Sequence, residues 1–588
     1  MSTAASAGRS QDTGIATPPA RRRPRPATLA WAAAIAGLFL LALALRLWGL
    51  RTGLPFVYNA DENAHFVPRA IGMFGHSYNP DYFINPPAYT YLVHVALWLR
   101  FGGREAVGAS YAADPTTVFT IARALSGLLG ALAVGFLAWA GARMFDRRTG
   151  FVAALLLAVA FLPVHYGHFA LNDVPTLAPL CVALVGVAGV LRRGHPVDYA
   201  VAGAGLGVAC ATKYTAGILV LSLLAAAALS RDAGSVRRRL GGLALAGVLA
   251  LGGFLIANPY ALFDYETFRA GLEKQSQAAG DETGKLGITQ DNGLLYYLGT
   301  LSWGLGWVPA AAAAGGVIGL ARRDRAAALA LALPCVALLL FLGTQQRFFA
   351  RWLLPIYPLL CLLAAWGALQ VAGWVLQRVR RRPALGAATA VAAVLLCAQG
   401  AVYSVHNDRV LARADTRNVT REWMVRAIPE GSKVVVEPVF PDQWASDPGR
   451  PSRVTGNGTR WNKWPTSRSK VNNDGTIRRG PGRIVKLEDY ERTTRPQLVG
   501  SYARGGYCWV VTGSTQTGRA YAEPEAVPNA IRYYDELRRR GRVVYRASPY
   551  REGAGPVPFS FDFSFNYYPL AYDRPGPEIV VYELDGCA

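Results

Sequence analysis

Long blocks of apolar residues, separated by short polar or basic turns, fill the first two thirds of the chain. About eleven blocks approach the ~20 residues that an α-helix needs to cross a bilayer. They begin near Ala27, Thr117, Gly150, Leu171, Asp198, Tyr214, Leu240, Gly293, Ala326, Trp352 and Ala384. The first block exceeds the ~7–15 residues of a signal-peptide core, so we interpret it as a retained signal anchor. The pattern predicts a polytopic α-helical membrane protein.

The pattern changes near residue 404, where helix-like and strand-like segments alternate. The segments KVVVEP, GYCWVVTG, RVVYRASP and EIVVYEL are typical of strands, and 416–428 and 530–540 are typical of helices. We therefore expect a membrane domain over 28–404 and a soluble α/β domain with a small sheet over 405–588. The Ser-, Pro- and Arg-rich residues 1–27 predict a disordered tail, and 444–483 predict an extended loop.

Composition narrows the class of protein and its orientation. The chain has 588 residues, 52% hydrophobic and only 17% charged, which excludes a soluble enzyme, a disordered protein and a disulfide scaffold. Its net charge of +23 does not indicate a nucleic-acid partner, because the basic residues fall in alternate loops. By the positive-inside rule this predicts a multi-pass protein of the cell membrane with a cytoplasmic N-terminus and an extracytoplasmic C-terminal domain. The basic loops hold Arg143, Arg147 and Arg148; Arg192 and Arg193; Arg237, Arg238 and Arg239; Arg322, Arg323 and Arg325; and Arg378, Arg380, Arg381 and Arg382.

Seven cysteines divide between the two regions. Five lie in apolar blocks, where a thiol packs as a small hydrophobe. Only Cys508 and Cys587 lie in the soluble region, and in an oxidising exterior these two can form one disulfide bond. No spacing of cysteine and histidine indicates a structural zinc site.

Two segments at the outer ends of the predicted spans carry acidic residues. In YNADENAHFVPRA, Asp61 and Glu62 are followed by His65 and Arg69, one and two helical turns on. These acids either begin a helix, where their negative charge interacts favourably with the positive end of the helix dipole, or belong to a functional site. In PVHYGHFALNDVPTLAP, Asp173 lies at the edge of an apolar helix. It is either a solvated helix start or a functional residue.

Three cations lie at the same predicted membrane face. Lys213 stands in a very short turn in ATKYTAGILVL, and Arg347 and Arg351 lie four residues apart in TQQRFFARWLLPIYPLL. Each can simply reach the lipid headgroups. Because the arginines lie on the outer side, against the positive-inside bias, an anionic partner such as a phosphate is the more specific hypothesis.

Taken in order, these segments resemble the GT-C glycosyltransferases that use polyprenyl-phosphate sugars, in the group containing the protein O-mannosyltransferases and the lipid A aminoarabinose transferase. The resemblance covers most of residues 28–404. It is carried by ADENAHFVPRA, INPPAYTYL, an H-x-x-H-x-x-x-x-D run, ATKYTAGILVL, NPYALFDYETF, LLYYLGTLSWGLGW and RWLLPIYPLL. Family members often have His before the Pro pair, where this chain has Asn85.

The resemblance implies transfer of a sugar, with inversion, from a polyprenyl phosphate to a glycan, lipid or protein acceptor. It implies that Asp61 is the general base, that Glu62 supports the site and that Asp173 positions the acceptor or the first-loop helix. It assigns the donor phosphate to Lys213, Arg347 and Arg351. Candidate substrate contacts are His65, Arg69, Tyr89 and His168.

Three alternatives stay open at this point. The reaction requires no cofactor, but His65, His165 and His168 with Glu62 form a loose candidate set for a divalent metal. A secondary transporter would also carry charges within its membrane domain. However, the charges here cluster at one face and no internal repeat is evident. A membrane scaffold whose outer domain binds a glycan is the third reading.

Overall fold

The computed structural model describes most of both regions of the chain. The described residues are 26–75, 77–230, 234–279, 286–287, 292–378, 385–449, 454, 458–464, 490–555, 557–562 and 566–586. Most of the predicted tail 1–27, much of the predicted loop 444–483 and Cys587 lie outside them.

Each predicted apolar block corresponds to a helix or a pair of short helices in the described residues. These helices are α1 (Pro26–Leu47), α5 (Thr116–Met144), α6 (Arg147–Val159), α7 (Phe161–Tyr166), α8 (Leu177–Arg192), α9 (Pro196–Thr212), α10 (Val220–Leu229), α11 (Val236–Ala257), α14 (Gly293–Leu301), α15 (Trp307–Arg323), α16 (Arg325–Gly343), α17 (Tyr357–Arg378) and α18 (Leu385–Leu411). Short 3-10 helices lead into α10 (Tyr214–Leu219) and α17 (Ala350–Ile356), and a π-helical turn (Ser302–Gly306) joins α14 to α15.

By length and composition, seven helical segments in the described residues can cross a membrane. They are Thr28–Leu47, Thr116–Met144, Val236–Ala257, Gly293–Arg323, Arg325–Gly343, Ala350–Arg378 and Gly386–Ala427. Among the shorter apolar helices are Leu177–Arg192 and Tyr214–Leu229, and α8 is buried along most of its length. The prediction of a polytopic helical membrane protein is therefore confirmed.

Small residues let the membrane helices approach closely. A Cβ atom on Gly203 or Gly207 of α9 would lie 2.2 or 2.0 Å from a carbonyl oxygen of α11. Likewise, a Cβ on Gly150 of α6 would lie 2.4 Å from a carbonyl oxygen of α5. Such backbone-to-backbone packing is typical of helices in lipid, where the hydrophobic effect does not drive association.

Two long connections between the apolar helices, which we call the first and the fourth loop, contain short helices. The first loop has a π-helical turn (Glu62–Phe66), α2 (Val67–Gly72), α3 (Ala88–Phe101) and α4 (Arg104–Ala113). The fourth loop has α12 (Tyr260–Phe263) and α13 (Tyr265–Ala279). These helices lie at the end of the bundle that carries the C-terminal domain.

The C-terminal domain is built on a five-stranded mixed sheet in the order β2-β1-β3-β5-β4. The central strand β3 pairs in parallel with β1 and antiparallel with β5. The strands are β1 (Lys433–Val436), β2 (Asn462–Lys463), β3 (Trp509–Gly513), β4 (Gly541–Ala547) and β5 (Ile579–Leu584). The helices are α19 (Thr416–Ala427), α20 (Tyr490–Thr493), α21 (Gln497–Arg504), α22 (Ser514–Ala522) and α23 (Pro528–Arg540). The four predicted strands and both predicted helices are present, and β2 is additional.

Alternation along the strands places a core on each face of this sheet. Val434 packs with Met424 of α19 on one face, whereas Val435 packs with Tyr533 of α23 on the other. Successive strand residues point to opposite faces, so helices cover both sides. Cys508, next to β3, is disulfide-bonded. The cysteines of the apolar blocks are free: Cys181, Cys210, Cys335, Cys361 and Cys397.

Candidate active site

The first loop exposes Asp61 because another residue caps the turn that follows it. Asn59 Oδ1 accepts hydrogen bonds from the backbone N–H groups of Asp61 and Glu62, at 3.0 and 3.3 Å. The Asp61 side chain makes no capping hydrogen bond to the π-helical turn Glu62–Phe66. Short π-helical turns are frequent at functional sites. The Asp61 carboxylate is thereby available for a contact outside its own helix.

That contact is Arg351, which connects two carboxylates. The Arg351 guanidinium donates to Asp61 Oδ2 at 2.6 Å, and its Nε lies 3.9 Å from Asp173 Oδ2. Asp173 in turn accepts a hydrogen bond from Lys213. Four side chains from distant parts of the sequence thus form one cluster of alternating charge. We call Asp61, Asp173, Lys213 and Arg351 the charge cluster.

Solvent access differs from one end of the charge cluster to the other. The Asp61 side chain is 35% exposed, whereas Asp173 and Lys213 are 4% and 10% exposed. Burial acts to raise the pKa of Asp61, but Arg351, with smaller effects of His65 and Lys213, outweighs it and holds this pKa below its usual value. Burial lowers the pKa of Lys213, although Asp173 opposes that effect. Asp61 is therefore an ionised carboxylate at neutral pH at the open end of the cluster.

Glu62, adjacent to Asp61, has a different environment. Arg123 of α5 donates to both of its carboxylate oxygens, at 2.8 and 3.0 Å, and the backbone N–H of Ala170 donates at 2.6 Å. Arg123 also donates to the carbonyl oxygens of Leu50 and Thr52. Both side chains of this pair are fully buried. Glu62 therefore joins the first loop to α5 and to the loop that carries Asp173, which fits the predicted supporting role.

An aromatic wall lies beside the exposed end of the cluster. The His65 ring stacks on Tyr82 with centroids 4.7 Å apart, and the Arg69 guanidinium lies 4.3 Å from the same ring. His65 Nε2 is 3.9 Å from Asp61 Oδ1. Asn85 donates to the Tyr82 hydroxyl at 2.9 Å. Tyr82, which the sequence motifs did not indicate, is thus the centre of this wall.

Other predicted site residues lie elsewhere. Tyr89 is fully buried and donates to the carbonyl oxygen of Ala122 at 2.8 Å. His168 is also fully buried, with ring nitrogens 2.9 Å from the carbonyl oxygens of Trp48 and Val164. Both side chains therefore lie in the protein interior, with their polar atoms beside backbone carbonyl oxygens. Arg347 is half-buried and lies in the non-helical segment that precedes the 3-10 helix Ala350–Ile356.

The candidate metal ligands are dispersed. His165 Nδ1 lies 2.9 Å from Asn407 Oδ1, Glu62 is bound by Arg123, and His65 stacks on Tyr82. Within the described residues no group of three or more His, Cys, Asp or Glu side chains is arranged to hold a metal ion. The structure therefore does not bring the predicted metal set together.

Several residues at the site were not singled out from the sequence. The rings of Tyr166 and Phe349 lie 5.9 and 5.2 Å from the Arg351 guanidinium. Nearby, the Tyr296 hydroxyl donates to Asp562 of the C-terminal domain at 2.7 Å. A Tyr or Phe in an aromatic-rich membrane protein gives no signal of its own, and Asp562 comes more than two hundred residues after Arg351 in the sequence.

An apolar groove of about 350 Å³ opens next to the charge cluster. Its lining includes Pro175, two residues after Asp173, and Thr212, which precedes Lys213. Tyr91, Leu129 and Ile256 line the remainder together with other mostly apolar residues. The groove thus presents a mostly apolar surface close to the buried end of the charge cluster.

Known proteins resemble the chain in sequence and in overall form. Residues 116–256 match the family model "Dolichyl-phosphate-mannose-protein mannosyltransferase", and no curated protein sequence matches the chain. Among solved structures, ArnT from Cupriavidus metallidurans bound to undecaprenyl phosphate is 15% identical with a TM-score of 0.49, over 94% of this chain and 97% of ArnT.

Two further solved structures are similar. The oligosaccharyltransferase AglB from Archaeoglobus fulgidus, in complex with an inhibitory peptide and a dolichol-phosphate, is 12% identical with a TM-score of 0.48, over 89% of this chain and 74% of AglB. The S. cerevisiae protein O-mannosyltransferase Pmt1-Pmt2 complex is 19% identical with a TM-score of 0.33, over 42% of this chain and 35% of the matched chain. Over residues 116–256, which include Asp173 and Lys213, the chain is similar to the dolichyl-phosphate-mannose-protein mannosyltransferases, and this confirms the resemblance that the sequence motifs predicted.

Proposed function

We propose that this membrane protein is an inverting glycosyltransferase that moves a sugar from a polyprenyl-phosphate carrier to an acceptor hydroxyl at the outer membrane face. The observation that carries the proposal is the charge cluster beside an apolar groove. Two cations and a partly exposed carboxylate are what a reaction with an anionic leaving group and a hydroxyl nucleophile needs. The match of residues 116–256 to a family named for a lipid-phosphate sugar donor supports the same chemistry.

The groove and the cations suit the two ends of the donor. A polyprenyl chain is a hydrocarbon, and the groove's mostly apolar lining suits it. The carrier phosphate then lies at the charged end, where Lys213 and Arg351 can donate to its oxygens. Arg347, four residues before Arg351 in the sequence, is a further candidate ligand of this phosphate. This arrangement places the sugar, which is bonded to the phosphate, next to Asp61.

The reaction follows as a single displacement. Asp61 accepts the proton of the acceptor hydroxyl as that oxygen forms a bond to the anomeric carbon. The bond between the anomeric carbon and the phosphate oxygen breaks, and its electron pair stays on the polyprenyl phosphate. Lys213 and Arg351 neutralise the added charge, so the leaving group needs no proton. Attack from the face opposite the phosphate inverts the anomeric configuration.

Donor binding would also change the basicity of Asp61. In the structure Arg351 donates to Asp61 and thereby lowers the pKa of that carboxyl. A phosphate that takes over the hydrogen bonds of Arg351 leaves Asp61 with a weaker cationic partner, so its pKa rises. A carboxylate with a higher pKa is a stronger general base at neutral pH. The base is therefore activated when the donor is in place.

The charge distribution supports an outward-facing site. Asp173 precedes the start of α8, and the basic residues Arg192 and Arg193 lie at its other end. Similarly, α9 begins beside Asp198, which binds Arg143 and Arg193, and ends at Lys213. The charge cluster and these basic loops thus lie at opposite ends of the same helices. The positive-inside rule then places the cluster outside, and the disulfide bond of Cys508 suits an oxidising exterior.

The experiment is donor turnover in purified protein reconstituted in liposomes. A panel of radiolabelled undecaprenyl-phosphate sugars, each with a hexose or a pentose, is offered with an extract of cell-envelope glycans and lipids as acceptor. We expect consumption of one donor, release of undecaprenyl phosphate and a product with the opposite anomeric configuration. Retention of configuration contradicts the single displacement, and absence of turnover for every donor contradicts the function.

The same preparation distinguishes the two other classes of protein. A secondary transporter moves a labelled solute across the liposome membrane without breaking the bond between sugar and phosphate. A scaffold with a glycan-binding outer domain binds a glycan without consuming any donor. Only a transferase releases the bare carrier, so the carrier is the product to measure.

A further inference from the structure

One segment of the C-terminal domain, residues 557–562, lies against the membrane domain beside the charge cluster. The Phe561 ring packs edge-on against Phe349 at 5.9 Å, two residues before Arg351. The backbone N–H of Phe561 donates to the carbonyl oxygen of Gly287 at 3.2 Å. The Arg519 guanidinium of α22 lies 5.4 Å from the Phe561 ring. These contacts fix the position of the next residue, Asp562.

Asp562 is held by a hydrogen bond to one oxygen and remains accessible. The Tyr296 hydroxyl donates to Asp562 Oδ1 at 2.7 Å. The Tyr296 ring is itself fixed by stacking on Phe348, with centroids 5.2 Å apart. Asp562 is only partly buried, so a ligand can reach it. Burial raises its pKa to about 6, and the hydrogen bond from Tyr296 opposes that effect.

Phe349 connects Asp562 to the charge cluster. Its ring lies 5.2 Å from the Arg351 guanidinium and packs edge-on against the Phe561 ring, with centroids 5.9 Å apart. Asp562, which follows Phe561, therefore lies beside the charge cluster, although it comes from a different domain.

Other contacts attach the C-terminal domain to the membrane domain. The Tyr568 ring stacks on Trp303 with centroids 4.8 Å apart and also contacts Phe161 and Tyr403. Such an aromatic cluster buries far more apolar surface than one carboxylate. Asp562, by contrast, has a neutral tyrosine as its hydrogen-bond donor at an interface. Its carboxylate is thus better suited to a ligand than to fastening the domains.

We infer that Asp562 binds a hydroxyl group of the transferred sugar, a role that rests on the proposed function. Before transfer the sugar must lie between the phosphate, held by Lys213 and Arg351, and the base Asp61. A carboxylate accepts hydrogen bonds from sugar hydroxyls, and the Tyr296 hydroxyl holds that carboxylate in place. The C-terminal domain thereby supplies a residue that recognises the sugar, and the membrane domain supplies those that bind the carrier.

Binding of two carriers to the full-length protein in detergent tests this assignment. The probes are undecaprenyl phosphate and undecaprenyl phosphate carrying the sugar that the wild type turns over. We expect Asp562→Asn to weaken binding of the sugar-bearing carrier by about tenfold or more, because a hydrogen bond to a charged group is lost. Binding of the bare carrier stays unchanged. Tyr296→Phe, which keeps the ring, shifts the same affinity in the same direction.

Asp573→Asn is the matched control, since Asp573 is a partly exposed carboxylate of the same domain that binds Arg413. It should leave both affinities unchanged. Equal loss for both carriers in Asp562→Asn, or no loss for either, overturns the assignment. A wild-type protein that binds neither carrier instead overturns the proposed function itself, and this assignment with it.

Discussion

Arg351 determines the state of the proposed base through its hydrogen bond to Asp61. The Asn59 side chain accepts the hydrogen bonds of the Asp61 and Glu62 N–H groups, which begin the next turn. The Asp61 carboxylate can therefore bind Arg351. The guanidinium has several hydrogen-bond donors in a fixed plane. The same side chain can therefore donate to Asp61 in the free protein and to a phosphate once the proposed donor binds. In the proposed mechanism the residue that holds the leaving group therefore also adjusts the base.

Replacement of this arginine should change the pH dependence of activity. In Arg351→Gln the cation that lowers the pKa of Asp61 is absent, so this pKa rises. The acid limb of kcat/KM, which reports the free enzyme, should then move to higher pH. We also expect kcat/KM at neutral pH to fall by about 10–100-fold, because a charge-assisted contact to the phosphate is lost.

The measurement is kcat/KM for donor consumption between pH 4 and 8. The exposed Arg532→Gln of α23 is the control for loss of one positive charge, and its profile should match the wild type. An acid limb at the same pH in Arg351→Gln and wild type would show that Asp61 is not the titrating base.

At this scale the charged residues were easier to single out from the sequence than the aromatic ones. Asp61, Asp173, Lys213 and Arg351 stood out because charges are rare at the ends of apolar helices, and the structure brings them together. Tyr89 and His168 lie in equally suggestive motifs, but both are buried. Motif position does not reveal which way a side chain points on a short helix.

Among the elements, the first loop depends on a buried ion pair. Glu62 and Arg123 are fully buried and hydrogen-bonded to each other. Removal of one partner from such a pair leaves an uncompensated charge in the interior, at a cost of about 3–5 kcal/mol. The π-helical turn that begins at Glu62 also holds Asp61 at its start. The pair therefore supports both stability and the position of the base.

Two variants separate these effects. Arg123→Met should lower the Tm of the detergent-solubilised protein markedly, because Glu62 remains buried without a cation. The double variant Arg123→Met with Glu62→Gln should recover much of this loss, since the glutamine oxygen can still accept the Ala170 N–H without carrying a charge. A double variant less stable than Arg123→Met would contradict this account.

The C-terminal end of β1 introduces a pH-dependent contribution to stability. Glu437 is fully buried and accepts hydrogen bonds from the Gly513 N–H and the Tyr534 hydroxyl. Burial raises its pKa from 4.5 to about 8, although those hydrogen bonds oppose the shift. Between these two values the folded state holds a proton that the unfolded state releases. The contribution of Glu437 to the free energy of unfolding therefore falls as the pH rises through this window.

Glu437→Gln should remove this dependence. We expect the variant to lose less Tm than the wild type between pH 5 and 8, because a neutral amide needs no proton. The exposed Glu422→Gln of α19 is the control and should follow the wild type. Parallel Tm profiles for Glu437→Gln and wild type would contradict the assigned proton.

For the whole molecule, the division into a helical membrane domain and a C-terminal α/β domain followed from hydrophobic periodicity alone. The predicted blocks correspond to helices and the four predicted strands to β1, β3, β4 and β5. The way in which the two domains meet did not follow, because contacts such as Phe561 with Phe349 and Tyr568 with Trp303 join residues without a local pattern. Asp562 was missed for the same reason.

The most direct test of the central claim is transfer by Asp61→Asn in reconstituted liposomes. Asp442→Asn serves as the matched control, since Asp442 is an exposed carboxylate of the C-terminal domain. We expect Asp61→Asn to lower kcat by about 10²–10⁴-fold, the contribution typical of a general base, while carrier binding persists. Asp442→Asn should transfer at the wild-type rate. Undiminished transfer by Asp61→Asn would contradict the account.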